Sequence, residues 1–597
     1  MDNTGKNGLE DTLVFLYGKE RGTALFPRLL ALLEEKRPRL PQRNNPPGLS
    51  PISNKDALLI SYGDMLSGDT GTGLSRLFRF LEKRNGGTFS YLHLLPFHPY
   101  SSDDGFSVID YRRVDERFGS WDDLEKFGNP VSPKTEKLKL AFDLVINHGS
   151  LQSRWFQGFL QDEEQYQSWY ITRPADYDSH SVVRPRTHPL LTAFKKQNGE
   201  TIHVWTTFSA DQVDYDFSNP EVLLEFARIL LEYAARGAGI IRLDAIAYLW
   251  KEDGTPCLHH PKTHAVVKLF RAMVDYLGLP LLILTETNVP HEENISYFGS
   301  PVGNAAIDSL PEAHLVYNFA LPPLVLYAAL SGDAGPLRNW AGTLPPTPFA
   351  SSNKAALYFL NFLASHDGVG LTPVRGLVDE AAFAEAIEEA RRRGALVSYK
   401  STPEGDVPYE LNCSYASLVA PETMGDTGLR ARAFLAAHGV LFSLSGLPAV
   451  YFHSWIGSSA WNEGPGLLGY NRAINREKPA AFEVERELED PESFRFQVYQ
   501  GMRRLLLFRQ NEAVFHPDAA QRVLAAEGSL FVLLRGTETE GRWALCLENL
   551  GSEAAVWTPP AEVPAELGPL KLESWETRWL VYDKNGLVKE ISTVNLR

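Results

Sequence analysis

Cysteine is scarce in this 597-residue chain: Cys257, Cys413 and Cys546 lie far apart and form no metal-ligand spacing. That excludes a disulfide framework and a thiolate cluster, and it fits a reduced compartment. No apolar run is long enough to span a bilayer, and Met1-Asp2-Asn3-Thr4-Gly5-Lys6 lacks the basic and apolar regions of a secretory signal. Positive charge is in deficit, with 58 Lys and Arg against 74 Asp and Glu and a net charge of −16. Nucleic acid and anionic membranes are poor partners for such a chain; a small anion in a local basic pocket is not excluded. There is no low-complexity tract and no short tandem repeat. Gly68-Asp69-Thr70-Gly71-Thr72-Gly73 lacks the lysine of a P-loop and reads as a flexible loop. No loop gathers the oxygen ligands that calcium needs. The expectation is a cytoplasmic protein with no metal and no cofactor, acting on small molecules as a monomer or homodimer.

What the chain does have is alternation. Its apolar fraction of 44% is ordinary for a globular protein, and its length exceeds one hydrophobic core. Residues 9–36 carry leucines at helical spacing, split by Gly18, Gly22 and Pro27 into two short helices. Pro38, Pro41, Pro46 and Pro47 then make a linker. From about residue 56, short apolar runs alternate with amphipathic stretches such as 222–236 and 263–277. The runs span 57–62, 91–95, 138–146, 239–245, 281–284, 314–319, 357–363 and 449–452. Eight strand–helix units predict an α/β fold, a closed (β/α)8 TIM barrel. Two connections, about 148–213 and 368–438, are too long for simple crossovers and read as inserted subdomains. After 512 the pattern becomes short alternating segments, a small all-β domain. The expected division is 1–54 for an N-terminal helical extension and linker, 55–511 for the barrel and 512–597 for the C-terminal β domain.

Three of the apolar runs deliver a carboxylate at their C-terminal end: Arg242-Leu243-Asp244, Leu284-Thr285-Glu286 and His366-Asp367. A parallel barrel carries its chemistry at that end, and paired carboxylates are the tools for cleaving a glycosidic bond. Arg242 lies two residues before Asp244, so on a strand both face the same way and the cation keeps the carboxylate ionised. Singly, each residue has a plainer reading. An aspartate ending a strand is commonly a cap or turn residue, His148 a satisfied turn histidine, Arg242 a structural ion pair. The ordered set outweighs those readings.

That set resembles the α-amylase-type glycoside hydrolase family (glycoside hydrolase family 13), and within it the sucrose phosphorylase-like branch. Leu94–Phe97 followed by Asp103–Tyr111 resembles the strand-2 segment, Asp143–His148 the strand-3 motif, and the three carboxylate motifs those of strands 4, 5 and 7. The resemblance implies a retaining double displacement. Asp244 would form a β-glucosyl ester, Glu286 would act as acid and then base, and Asp367 would stabilise the transition state. It implies Asp103, Phe106, His148, Arg242, Tyr248, His366 and Arg476 around the glucosyl unit, with Arg476 paired to Asp103. Phe208, Gln212 and Asn288 would form the acceptor side. Phosphate must approach three carboxylates, so cations must come from the long loops. Arg184, Arg186, His188, Tyr409 and Glu410 are expected there, around phosphate and acceptor. Asn288 stands where sucrose phosphorylases carry a histidine. The N-terminal segment, Ser101–Ile109, Thr285–His291 and Pro408–Asn412 look instead like those branch members that convert 2-O-α-D-glucosylglycerate and phosphate to α-D-glucose 1-phosphate and D-glycerate. Sucrose 6′-phosphate, glucosylglycerol and sucrose are the alternative substrates.

Overall fold

The computed structural model describes residues 3–43, 50–129, 136–186, 188–345, 349–350, 356–402, 405–537, 541–563 and 567–595. Each of the eight apolar runs supplies one strand: β1 (Leu58–Ser61), β2 (Tyr91–Leu94), β3 (Lys139–Val145), β4 (Ala238–Asp244), β5 (Leu282–Thr285), β6 (Leu315–Tyr317), β7 (Ala356–Asn361) and β8 (Leu447–Tyr451). All neighbours are parallel, each strand pairs with the next, and β8 returns to β1 to close the barrel. Strands such as β1, β5 and β8 are buried along their whole length. Helices cover the outside and side chains fill the inside, so they read as continuous apolar runs rather than alternating ones.

The N-terminal segment forms α1 (Asn3–Tyr17) and α2 (Lys19–Lys36). The chain turns at Gly18, whose φ of 82° favours a residue without a side chain. Gly22 and Pro27 do not break α2. At Gly22 the backbones touch: a Cβ there would meet Val14 Cα at 2.5 Å. The segment lies on the outer helices of the barrel, α1 on α4 (Pro261–Leu277) and α2 on α3 (Pro220–Ala235). Leu9, Leu13, Leu25, Leu29 and Leu33 are buried, and Arg28 makes a two-bonded pair with Glu221 at 2.7 and 2.8 Å.

Two long excursions leave the C-terminal ends of β3 and β7. The first carries a three-stranded antiparallel sheet (172–173, 201–205, 191–195) and a two-stranded ribbon of His148–Ser150 with Gln212–Asp214. The second carries another antiparallel sheet (369–370, 405–412, 396–402) and a helix, Glu380–Arg392. Helix α5 (Thr427–Ser443) then leads back to β8. Beyond the barrel, a five-stranded antiparallel sheet packs on α5, with a two-stranded sheet (555–557, 570–572) beside it in sequence.

Candidate active site

The barrel register sets the central group. Leu284 on β5 lies opposite Arg242 on β4, so Glu286, two residues on, comes level with Asp244. Arg242 Nη1 donates to Asp244 Oδ1 at 2.8 Å, and Nη2 lies 3.8 Å from Glu286 Oε2. The same guanidinium bonds Asp143, its register partner on β3, which also lies 2.8 Å from His93 Nε2. Ala245, the first residue beyond β4, has a φ of 48°. That left-handed conformation is uncommon outside glycine, and the Ala245 amide donates to Glu286 Oε2 at 2.9 Å. Backbone held this way clusters at functional sites.

Arg242, Asp244, Asp143 and His93 are buried and Glu286 is largely so, and burial works against their charged forms. It raises the Asp244 carboxyl well above the usual range; Arg242 opposes it, while Glu286, Asp143 and Asp367 add to it. Glu286 is raised by burial too, against Arg242, with Asp367 adding to the rise and the Ala245 amide pulling it down. The Asp244–Glu286 pair therefore retains a proton above the ordinary carboxyl range, as a coupled unit. Asp143 is different. Burial pushes it upward, but Arg242 and His93 outweigh this and hold it at about 2.

Asp367 lies beyond the end of β7. Burial acts to raise it, yet Arg472, His366, Arg476 and Arg242 together hold it well below the usual carboxylate range. Arg472 bonds Asp367 directly, and its other edge reaches both oxygens of Glu410 at 3.1 and 3.2 Å. Glu410 accepts the Gly368 amide at 2.7 Å. Arg476 Nη1 lies 2.6 Å from Asp104 and 3.7 Å from Asp103. The nearer partner is thus Asp104, which also accepts the Tyr470 hydroxyl at 2.5 Å. Asp103 and Asp104 both have positive φ, 52° and 46°, which presents the two carboxyls side by side to one arginine.

Part of this network opens onto a cavity of about 90 Å³. Its lining includes Asp103, Phe106, His148, Arg186, Phe208, Gln212, Arg242, Asp244, Tyr248, Glu286, Asn288, His366, Asp367, Tyr409 and Arg472. Phe106 stacks on His366 at 4.8 Å and 7°. Burial lowers His366 to about 3 despite Asp367, so the ring is neutral. His148 Nε2 lies 3.1 Å from both the Phe106 carbonyl and the Gln212 side-chain nitrogen. Phe208 packs against His148 and Tyr248, with centroids 5.1 and 5.4 Å away. Behind this wall a buried Lys251 reaches Asn147 Oδ1 and Asp214 Oδ2, each at 2.6 Å. Asp214 also accepts the Thr207 amide and hydroxyl at 2.9 and 2.6 Å. Lys251, beyond β4, so ties the β3 end by a hydrogen bond and the segment that carries Phe208 by a buried ion pair.

The structure places four of the expected positions away from the cavity wall. Arg184 and His188 do not line the cavity with Arg186. Residues 181–186 and 188–190 form turns and bends, not strand, so i, i+2 residues do not share a face, and His188 is directed to the Thr206 carbonyl at 2.9 Å. Glu410 stands one layer back, spent on Arg472 and the Gly368 amide. Arg476 also sits behind the wall; it lies 3.7 Å from Asp103, the expected partner, with Asp104 nearer at 2.6 Å. Sequence reasoning missed Asp104, Asp143 and Arg472. Asp143 carried a signal: it lies on a barrel strand among buried apolar residues, where an unpaired charge does not survive. Among the described residues, no group of three or more His, Cys, Asp or Glu is placed to hold a metal, and no helix is long and apolar enough to cross a membrane.

A family model described as "Alpha amylase, catalytic domain" matches residues 88–332. A glucosylglycerate phosphorylase of Spirochaeta thermophila is 47% identical over 544 residues, 91% of this chain and 89% of the relative. One from Escherichia coli is 41% identical over 514 residues, covering 86% and 87%. The crystal structure of sucrose 6F-phosphate phosphorylase from Thermoanaerobacter thermosaccharolyticum superposes with a TM-score of 0.72 at 23% identity, covering 92% of this chain and 99% of that one, which is a likeness of fold. The chain belongs to the α-amylase family. It is one of that family's enzymes, built on the (β/α)8 barrel with a C-terminal antiparallel sheet.

Proposed function

We propose that the enzyme is a retaining glycoside phosphorylase that interconverts 2-O-α-D-glucosylglycerate plus phosphate and α-D-glucose 1-phosphate plus D-glycerate. The observation that carries this reading is the pairing of Asp244 and Glu286 across one guanidinium, with Arg186 on the wall of the same cavity. The names of relatives at 47% and 41% identity support the acceptor.

In this mechanism Arg242, at 2.8 Å from Asp244 and 3.8 Å from Glu286, favours the anion on Asp244 and leaves the shared proton on Glu286. Asp244 attacks the anomeric carbon as the bond to glycerate O2 breaks, and Glu286 gives its proton to that oxygen. The product is a β-glucosyl ester on Asp244. Phosphate then enters, Glu286 takes its proton, and a phosphate oxygen displaces Asp244 to give α-glucose 1-phosphate. Asp367, held ionised, faces the positive charge of the oxocarbenium-like transition state. Arg186 offsets repulsion between phosphate and the three carboxylates.

The test is to incubate the protein with α-glucose 1-phosphate and either D-glycerate, glycerol, fructose or fructose 6-phosphate, and to measure released phosphate. Release fastest with D-glycerate is expected. Release only with another acceptor would overturn the acceptor, and release independent of any acceptor would make the enzyme a hydrolase.

A further inference from the structure

Tyr409 sits in a β-bulge. Ser398 pairs with Glu410 and Tyr399 with Pro408, so Tyr409 has no residue opposite it. A bulge re-aims the side chain it carries, and this one brings Tyr409 to the cavity wall with its hydroxyl 3.5 Å from Asn288 Nδ2. Two cations lie against its ring. The Arg186 guanidinium is 6.0 Å from the centroid and the Lys400 ammonium 5.8 Å. Arg186 comes from the first excursion and Lys400 from the second. Among the described residues neither has a carboxylate within ion-pairing distance. In a chain with 74 acidic and 58 basic side chains, two such cations at one tyrosine are a site for anions.

The two cations differ in depth. Arg186 lines the same cavity as Asp244 and Glu286, whereas Lys400 lies against the Tyr409 ring but outside that lining. The oxygen that leaves the anomeric carbon and the phosphate oxygen that replaces it occupy the same place, so the inner cation serves phosphate. Glycerate bears its carboxylate on the carbon next to the one holding that oxygen, further from the sugar. Resting on the functional reading above, we infer that Lys400 binds the acceptor's carboxylate and so selects an anionic acceptor, while contributing little to phosphate. Half-buried beside Arg375, with Glu293 as the acidic neighbour that acts on it, the Lys400 ammonium is destabilised by burial and by Arg375; a carboxylate relieves both. Until one arrives, the Tyr409 ring holds the ammonium by cation–π attraction.

The test compares wild type, Lys400→Gln and Lys400→Arg. In the synthetic direction Lys400→Gln should raise KM for D-glycerate at least tenfold, and Lys400→Arg should restore it to within about threefold of wild type. KM for phosphate in the reverse direction should change less than twofold. A parallel rise for phosphate, or no change for glycerate, overturns the assignment. Calorimetric titration of each protein with D-glycerate and with inorganic phosphate separates this idea from the functional reading. Wild type that binds glycerate without turning it over sinks the function alone, and tenfold weaker glycerate binding by Lys400→Gln then still supports Lys400. Turnover with glycerate, but equal glycerate binding by wild type and Lys400→Gln, sinks Lys400 alone. Wild type that neither binds glycerate nor turns it over overturns both.

Discussion

Arg242 holds Asp244 at 2.8 Å and stands 3.8 Å from Glu286, so a single guanidinium makes two buried carboxyls unequal. Asp143 anchors that guanidinium from the neighbouring strand. In the proposed mechanism Asp244 takes the anion and Glu286 the proton, which is the division of labour that double displacement needs.

Asp244→Ala should reduce phosphorolysis by at least ~10³-fold, since it removes the group that forms the covalent bond in the proposed mechanism. The fold should persist, because Arg242 keeps its pairing with Asp143. Glucose 1-phosphate formation and circular dichroism measure the two outcomes; residual turnover above a trace would remove Asp244 from the nucleophile role.

Glu286→Gln should slow donors with poor leaving groups most, because an already acidic leaving group needs no proton. A series of glucosyl donors with leaving groups of graded acidity tests this. Equal losses across the series count against the acid role.

Asp367→Asn should shift the pH dependence of whatever activity remains. The negative charge of Asp367 raises the Glu286 carboxyl. Without it Glu286 loses its proton at lower pH, so the basic limb of kcat/KM should move toward acid. An unmoved or alkaline-shifted limb would contradict the coupling.

Glu548 offers a test far from the cavity. It is buried in the C-terminal sheet, accepts the Trp579 indole N–H at 2.8 Å, and is raised by burial to about 8. The unfolded carboxyl titrates near ~4.3, so the folded state binds the extra proton between those values. Its contribution to stability is full below the unfolded value and is lost as pH rises through about 8. Glu548→Gln, which cannot ionise, should therefore gain melting temperature relative to wild type on going from pH 6 to pH 9. A constant difference across that window would show that Glu548 is not protonated in the fold.

Leu13, fully buried in α1 where that helix packs on α4, tests the N-terminal segment. Leu13→Ala should cost about 2–5 kcal/mol in denaturant unfolding while leaving kcat unchanged at ambient temperature. A loss near zero would mean that α1 does not share the barrel's cooperative unit.

The strands and the three carboxylates were legible because both signals are local. A strand covered on both faces must be apolar throughout, and a parallel barrel must present its chemistry where each strand ends. Asp244 and Arg242 share a face for the same local reason, two residues apart. Asp103 was legible as a partner of Arg476, but Asp104 was not. The two aspartates are adjacent, and that the second meets an arginine 372 residues away depends on two left-handed backbone conformations that no periodicity encodes. Arg472 was passed over because its value comes from two carboxylates, Asp367 and Glu410, on other segments. Arg184 and His188 were misplaced because a turn fans its side chains out, and its path is set by contacts such as His188 with Thr206.

The chain by itself determined the barrel, the position along it of each carboxylate that ends a strand, and the supply of cations in the excursions, because these follow from burial and from strand geometry. Only the tertiary structure decided which carboxylate each arginine serves, which of the loop cations reaches the cavity, and where α1 and α2 lie. Charge pairing acts over a few ångströms of space, and the residues that meet there are separated by hundreds of positions in the chain.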